Sequence, residues 1–484
     1  MTSRICLCVL LAACALRAQQ PPSPNQILPA GSQLITIGET VRLESKHLHE
    51  TRDIHIALPS SYSSTKQRFP VIYVLDGEAY FLSAVSAVNF MTTASQIPQM
   101  PDVIVVGIPN ANRNRDMPVP QELSTGGADR FLAFLADELV PFVEQNYRTH
   151  PLRVLIGHSQ GGLFAMYAMV KHSSAFQWYL ASDAPLFGAT APLLEQVVAL
   201  VQRPDYRGRL VSVERQLGWQ NNWPKLESSK NANFVSARIE ITDETHETMI
   251  YKGIYEGLQQ LFFDYAPEQR DWPLDKLDAK YAALSKAYGY AVPIPQAVLL
   301  TSVRLHAMQR HGEEAKLLLQ RAVALYGESA QTQKLFAEVD EAIKKGPPDS
   351  RVEELLNAPR PSAEGIKPFL GVWTGRLEVP NGVPMDIELQ INVVDEKIHA
   401  QSKMRGPSGF EMGAAPDFLR VLADGALQWG RKSGRSGGLY VSTVRLIDAN
   451  TLQGEEELIG VEPPPGLKMP PPNIIVLKRQ VALN

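Results

Sequence analysis

Arg153-Val154-Leu155-Ile156-Gly157-His158-Ser159-Gln160-Gly161-Gly162-Leu163-Phe164-Ala165-Met166 is the stretch on which the reading of this chain turns. A β-branched run leads into Gly-x-Ser-x-Gly and leaves it as an amphipathic helix, the context in which that pattern becomes a nucleophile elbow. Such a turn forces the serine into a strained backbone conformation. Gly157 and Gly161 must then lack side chains for strand and helix to pass closely. The turn holds the Ser159 hydroxyl out into a cleft. The N–H of Gln160, at the start of the helix, points where negative charge develops in acyl transfer. Ser159 is therefore the candidate nucleophile.

A serine hydroxyl needs a base within hydrogen-bond reach and an acid that orients the base. On α/β-hydrolase folds these follow in the order Ser, acid, His. His246 comes after Ser159, follows a late strand in a loop and precedes an amphipathic stretch, Glu247 to Phe263. His172 comes too early, His306 and His311 fall in a helical region, and His158 is expected to turn away from the nucleophile. For the acid, Glu214 stands first because it ends the strand Leu210 to Val213, where such sheets present functional groups. Asp183, after Trp178 to Ala181, stands second, and Asp243 a distant third.

Outward from the elbow, residues 19–266 alternate short apolar runs with amphipathic stretches, which predicts an α/β fold with a mostly parallel sheet and flanking helices. Strands are expected at Ile54 to Leu58, Val71 to Leu75, Val103 to Ile108, Val154 to Ile156, Trp178 to Ala181, Leu210 to Val213 and Arg238 to Ile241. Residues 267–345 lose the strand pattern and read as helices. Pro295 to His311 and Glu313 to Tyr326 there resemble a tetratricopeptide hairpin, and an ordinary helical hairpin fits equally well. A Pro-rich linker, 346–365, leads to a β-rich region, 366–484, with period-two alternation, expected to form a small antiparallel barrel or sandwich. Its opening Phe369-Leu370-Gly371-Val372-Trp373-Thr374-Gly375 resembles the first strand of lipocalin-like barrels, although a plain accessory barrel suits it better than a ligand-binding one.

Residues 1–18 have Arg4, an apolar run Ile5 to Leu16 and small residues before Gln19, the pattern of a secretory signal peptide. Leu11-Ala12-Ala13-Cys14 also resembles a lipobox, which would leave a lipid anchor on Cys14. All three cysteines lie in this segment, so a chain cut after Ala18 has no disulfide framework and no thiol ligand. No later run approaches the ~20 apolar residues of a transmembrane segment. Periplasmic or secreted export is the expectation.

The 484 residues suggest about three domains at roughly 150 residues each. With 44% hydrophobic and 20% charged residues, most of the chain should fold. A net charge of −4 gives no field for nucleic acid. No His-Glu-x-x-His motif or phosphate-cradling glycine loop appears, so neither metal nor cofactor is expected.

The first domain resembles the α/β-hydrolase esterases that include ferric-enterobactin esterase and related siderophore trilactone hydrolases. The residues that carry the resemblance are Tyr73-Val74-Leu75-Asp76-Gly77-Glu78, Val105-Val106-Gly107-Ile108-Pro109-Asn110, Arg113-Asn114-Arg115-Asp116, Gly126-Gly127-Ala128, the elbow and Asp243-Glu244-Thr245-His246. It implies a serine esterase with Ser159 and His246 as catalytic residues, and an oxyanion hole completed by the N–H of Gly77 or Glu78. It also places Arg113, Arg115 and Asp116 on a loop near the substrate. An arginine there could hold an anionic or catechol-bearing acyl group; the structural alternative is an internal Arg–Asp pair that fixes the loop. Trp219 and Trp223 offer an aromatic wall for an aryl substrate or, equally, core packing. The sequence departs from the family at Val213-Glu214-Arg215-Gln216 and Ser182-Asp183-Ala184-Pro185, which leaves the acid open. The expected substrate is a small ester: a siderophore trilactone, or a feruloyl or acetyl ester of a polysaccharide. A contrasting class is a non-catalytic ligand- or partner-binding protein on a hydrolase scaffold.

Overall fold

The computed structural model describes residues 35–480 apart from 95, 120–126, 187, 216–222, 347–349, 381, 396, 408, 410, 434–437 and 462–467. The segment Met1–Ala18, with Cys14, and the candidate Trp219 lie outside the described residues. The first sheet comprises β1 (Glu39–Ser45), β2 (Glu50–Ala57), β3 (Phe69–Leu75), β4 (Ile104–Ile108), β5 (Thr149–His158), β6 (Trp178–Ser182), β7 (Gly208–Glu214) and β8 (Phe234–Glu240). Its order is β1-β2-β4-β3-β5-β6-β7-β8. From β4 to β8 every neighbouring pair is parallel, while β1 and β2 add an antiparallel edge. This is the mostly parallel sheet with flanking helices that the apolar runs predict. The edge strand β1 is an addition: its Glu-Thr-Val-Arg-Leu-Glu-Ser is exposed at alternate positions and carries few apolar residues.

Strand β3 is buried along its whole length, as a strand covered on both faces must be. Phe69, Val71, Tyr73 and Leu75 pack into one core, whereas Ile72 and Val74 pack into the other. The first core holds Leu163, Phe164 and Ala165 of the elbow helix (Gln160–Lys171) and Leu194 and Val197 of the helix Ala191–Val201. The second holds Phe81, Val85 and Val88 of the helix Gly77–Thr93 and Ile250, Ile254 and Leu258 of the helix Met249–Leu261.

That second core runs on without interruption into the helices Leu274–Tyr288, Gln296–Met308, Gly312–Tyr326 and Ala330–Lys345, through Tyr281, Leu299, Val303, Leu318 and Val339. An ion pair at the start of β7 anchors Asp264, through which Tyr288 ties the two regions. Arg209 Nη2 lies 2.5 Å from Asp264 Oδ2, and Nη1 donates to the Leu261 carbonyl at 2.6 Å. Tyr288 donates to Asp264 at 3.0 Å, and the Arg209 guanidinium sits 4.3 Å from the Trp178 ring centre.

The C-terminal region is a single nine-stranded antiparallel sheet. Its spatial order is Glu411–Ala414, Lys397–Arg405, Met385–Val394, Gly371–Glu378, Asn473–Arg479, Thr451–Ile459, Leu439–Asp448, Leu427–Lys432 and Phe418–Val421. Met404 from near one end and Leu419 from the other share one core with Trp373, so the sheet curls around its own apolar face into a half-barrel. The antiparallel β region expected from the period-two alternation thus takes the form of one curled sheet. Trp373 is fully buried, its indole N–H donates to the Phe369 carbonyl at 2.8 Å, and Arg479 lies 4.3 Å over its ring. No described helix is long and apolar enough to cross a membrane.

Candidate active site

Three strand ends and two helix starts meet at the C-terminal edge of the first sheet, where open parallel sheets place their sites. Ser159 joins β5 to the elbow helix at φ 55° and ψ −122°, a region closed to most side-chain-bearing residues unless the surroundings enforce it. Two hydrogen bonds do so: its N–H donates to the Ser182 carbonyl at 2.8 Å, and its carbonyl accepts from Leu163 at 3.0 Å. The glycines explain themselves. A Cβ on Gly157 would lie 2.1 Å from the Gly161 carbonyl oxygen, and one on Gly162 would lie 2.9 Å from that of Ser182. Gly161 is less tightly bound, its nearest neighbour being Asp76 Oδ2 at 3.1 Å.

His246 lies between β8 and the helix Met249–Leu261, and its Nδ1 is 2.6 Å from Asp183 Oδ2. Asp183 follows β6, the strand beside β5, with φ 43° and its N–H on the Val213 carbonyl at 2.7 Å. Arg215 donates from Nε to the same Oδ2 at 3.1 Å. Burial pushes the Asp183 carboxyl up, but the hydrogen bonds from His246 and Arg215, with their charges, outweigh it and hold its pKa below the ordinary value.

The carboxylate on His246 is thus Asp183, and the expectation of Glu214 is corrected. Glu214 is fully buried and accepts from Ser212 Oγ at 2.9 Å and from Arg238 Nε at 3.1 Å. The reason is strand parity. Val211 and Val213 face the core against which the helix after His246 packs, so Ser212 and Glu214 face the other side of the sheet. Burial pushes the Glu214 carboxyl up, against the hydrogen bonds from Ser212 and Arg238. Asp243, the third candidate, is exposed and pairs with Lys252 at 2.9 Å.

Gly77 and Glu78 open the helix that follows β3, the other neighbour of β5, so its first-turn N–H groups face the same cleft edge as that of Gln160. Asp76 makes that turn at φ 53°, and a Cβ on Gly77 would lie 2.4 Å from the Ile108 nitrogen. The Glu78 carboxylate accepts from the Asn110 N–H at 2.9 Å and from its side-chain amide at 2.8 Å, fastening the turn to the end of β4.

Arg113 and Arg115 are engaged internally, in the kind of Arg–Asp pairing set beside a substrate contact in the sequence reading. Arg113 Nε and Nη2 grip Asp76 at 2.6 and 3.2 Å, Nη2 reaches the His158 carbonyl at 3.2 Å, and Nη1 lies 3.4 Å from Gln160 Oε1. It thereby ties both helix starts together. Arg115 holds Glu50 at 2.6 Å and Asp116 at 2.6 Å, and Asp116 is also the buried partner of Arg52. Trp223 is buried, with its indole N–H on Glu227 at 2.8 Å.

Two neighbours of the site escaped the sequence reading. Arg215 sits directly after Glu214, but nothing local points it at Asp183. Tyr80, one turn into its helix, places its hydroxyl 3.1 Å from His158 Nδ1. His158 itself is buried, and its ring centre lies 4.6 Å from that of His246. Among the described residues, no group of three or more His, Cys, Asp or Glu could hold a metal ion.

Residues 45–248, which include Ser159, Asp183 and His246, match the family model Esterase, described as "Putative esterase". An IroE-like serine hydrolase from Shewanella oneidensis is similar in structure, with a TM-score of 0.52 over 60% of this chain and 99% of that one, at 30% identity. The ferri-bacillibactin esterase BesA of Bacillus subtilis is 24% identical over 43% of this chain and 79% of its own length. The siderophore triacetylfusarinine C esterase of Aspergillus fumigatus is 30% identical over 28% of this chain and 50% of its own. The chain spans about half the length of some of the curated relatives it matches. With the elbow in place between β5 and its helix, and the match running from β2 to β8, the chain belongs to this esterase family.

Proposed function

We propose that the protein is a serine esterase that hydrolyses carboxylic esters of the siderophore type through an acyl-enzyme on Ser159. The observation that carries the proposal is the 2.6 Å contact between Asp183 and His246, one strand away from a strained serine at an elbow. With Nδ1–H held by the carboxylate, Nε2 of His246 keeps its lone pair for the Ser159 proton. In acylation Ser159 Oγ bonds to the ester carbonyl carbon, His246 takes the hydroxyl proton, and that proton then goes to the departing alkoxide. Water repeats the sequence to release the acid and restore Ser159. Asp183 stabilises the imidazolium formed in each step. The N–H of Gln160 and that of Gly77 or Glu78 receive the tetrahedral oxyanion.

The names of the relatives favour siderophore esters as substrates, with feruloyl and acetyl esters of polysaccharides as the alternative within the same chemistry. An imidazole already paired with a carboxylate argues against an inert binding scaffold. Export through residues 1–18 to the periplasm or beyond, with or without a lipid on Cys14, belongs to the same proposal, as does an accessory role for the C-terminal half-barrel.

The test is hydrolysis of p-nitrophenyl butyrate, a ferric catecholate trilactone and a feruloylated oligosaccharide by the full secreted chain, Ser159→Ala and His246→Ala. Turnover lost in both variants, with folding intact by circular dichroism, is the expected result. Equal rates in all three proteins would overturn the proposal, and the preferred ester decides between the two substrate classes.

A further inference from the structure

The residue before the nucleophile is a histidine, and the chemistry proposed above gives it no task. His158 is 3% exposed at the end of β5, with its ring tilted 38° against that of His246. Its Nδ1 lies 3.1 Å from Tyr80 Oη, and the two rings meet edge to face at 5.7 Å. Its Nε2 is closed off from water and has no hydrogen-bond partner of good geometry, which for a buried polar atom calls for an explanation.

Burial pushes His158 down to about 4, and the adjacent His246 pushes the same way, while the His246 main chain and the carboxylates of Asp183 and Asp76 oppose them. The ring is therefore neutral wherever a histidine base can act, with one N–H and one lone pair. Burial also pushes the Tyr80 phenol up, together with Asp76, Glu78 and Glu247 and against Arg113, so Tyr80 keeps its proton as a donor. If Tyr80 O–H donates to Nδ1, the proton of His158 must sit on Nε2.

We propose that Tyr80 and His158 are a positioning pair for His246: the tyrosine hydroxyl fixes the tautomer of His158, whose Nε2–H then faces the His246 main chain while its ring backs the His246 imidazole. The inference rests on His246 as the general base. Asp183 anchors that imidazole at a single point, Nδ1, about which the ring could still swing. The second ring, at the end of β5 and 4.6 Å away, removes that freedom, and Tyr80 holds that ring from the same helix that presents Gly77 and Glu78. Neither Tyr80 nor His158 touches the reacting atoms in this arrangement.

The experiment combines 15N-histidine NMR of the full chain with steady-state hydrolysis of p-nitrophenyl butyrate. Wild type should show His158 with an unprotonated Nδ1 and a protonated Nε2, and Tyr80→Phe should mix the tautomers. Loss of one hydrogen bond to a positioning group should lower kcat about three- to tenfold with KM nearly unchanged. His158→Gln, whose amide can supply a donor near the Nε2 position, should retain more kcat than His158→Phe, which keeps only a ring. A protonated Nδ1 in wild type, or Tyr80→Phe with an unaltered tautomer and kcat, would overturn the inference. Ser159→Ala in parallel separates the two levels. Hydrolysis that survives it refutes the esterase reading, whereas the tautomer of His158 is read without any turnover.

Discussion

Asp183→Asn tests the site most directly, because it replaces only the acceptor that meets His246 Nδ1. Two contributions disappear. The charge-assisted hydrogen bond that fixes the imidazole is worth about 1.5–3 kcal/mol. The attraction between carboxylate and imidazolium is about 4 kcal/mol at ~4 Å and an effective dielectric of ~20. Arg215, 3.1 Å from the same oxygen, already offsets part of that attraction, so roughly half is a fair share. Together they make about 3.5–5 kcal/mol, or a kcat lower by about a thousandfold. KM should change little, because Asp183 is 8% exposed and lies behind the histidine. The assay is steady-state hydrolysis of p-nitrophenyl butyrate beside Glu214→Gln, for which kcat should stay within about threefold of wild type, since Glu214 contacts Ser212 and Arg238 on the other side of the sheet. A folded Glu214→Gln that loses more activity than Asp183→Asn would refute the assignment.

Three further outcomes follow from the same geometry. The folded state binds a proton at Asp183 less tightly than the unfolded chain does, so its stabilising contribution is present above the ordinary carboxylate pKa and vanishes as pH falls through its lower folded value. Urea melts of wild type and Asp183→Asn should accordingly converge between about pH 5 and pH 2. Gly157→Ala should fail to give a native-like protein, because its Cβ would lie 2.1 Å from a backbone oxygen; a normal thermal melt would contradict this. Arg209→Met strands Asp264 and the Leu261 carbonyl. It should destabilise the protein by about 3 kcal/mol in urea unfolding with kcat nearly intact, since β7 begins at the edge opposite Ser159.

The legibility of this chain follows the range of the interactions involved. The elbow was readable because strand, glycines and helix are contiguous, and the parallel sheet because its strands are apolar on both faces. Asp183 and Glu214 both end adjacent strands, and only the packing of Val211 and Val213 against the helix after His246 shows that Glu214 faces the other side of the sheet. The pairing of Arg115 with its neighbour Asp116 is legible locally, whereas Asp76 and Glu50, the partners of Arg113 and Arg115, lie 37 and 65 positions away. In the C-terminal sheet, Glu455, Glu456 and Glu457 disguise the strand Thr451–Ile459, whose Leu452 is buried. Glu411–Ala414, an exposed edge strand, carries no apolar alternation at all. Tyr80 left no trace in the sequence, since any first-turn helix residue could occupy its place.

The helices beyond Ala266 share one uninterrupted core with the face of the sheet that carries His246. A protein cut after Ala266 would therefore expose the faces of Trp178 and Phe262 that now meet Tyr288, and it should aggregate rather than fold as a smaller enzyme. That shared core reaches at least the helix Ala330–Lys345, whose Leu335 and Val339 lie in it.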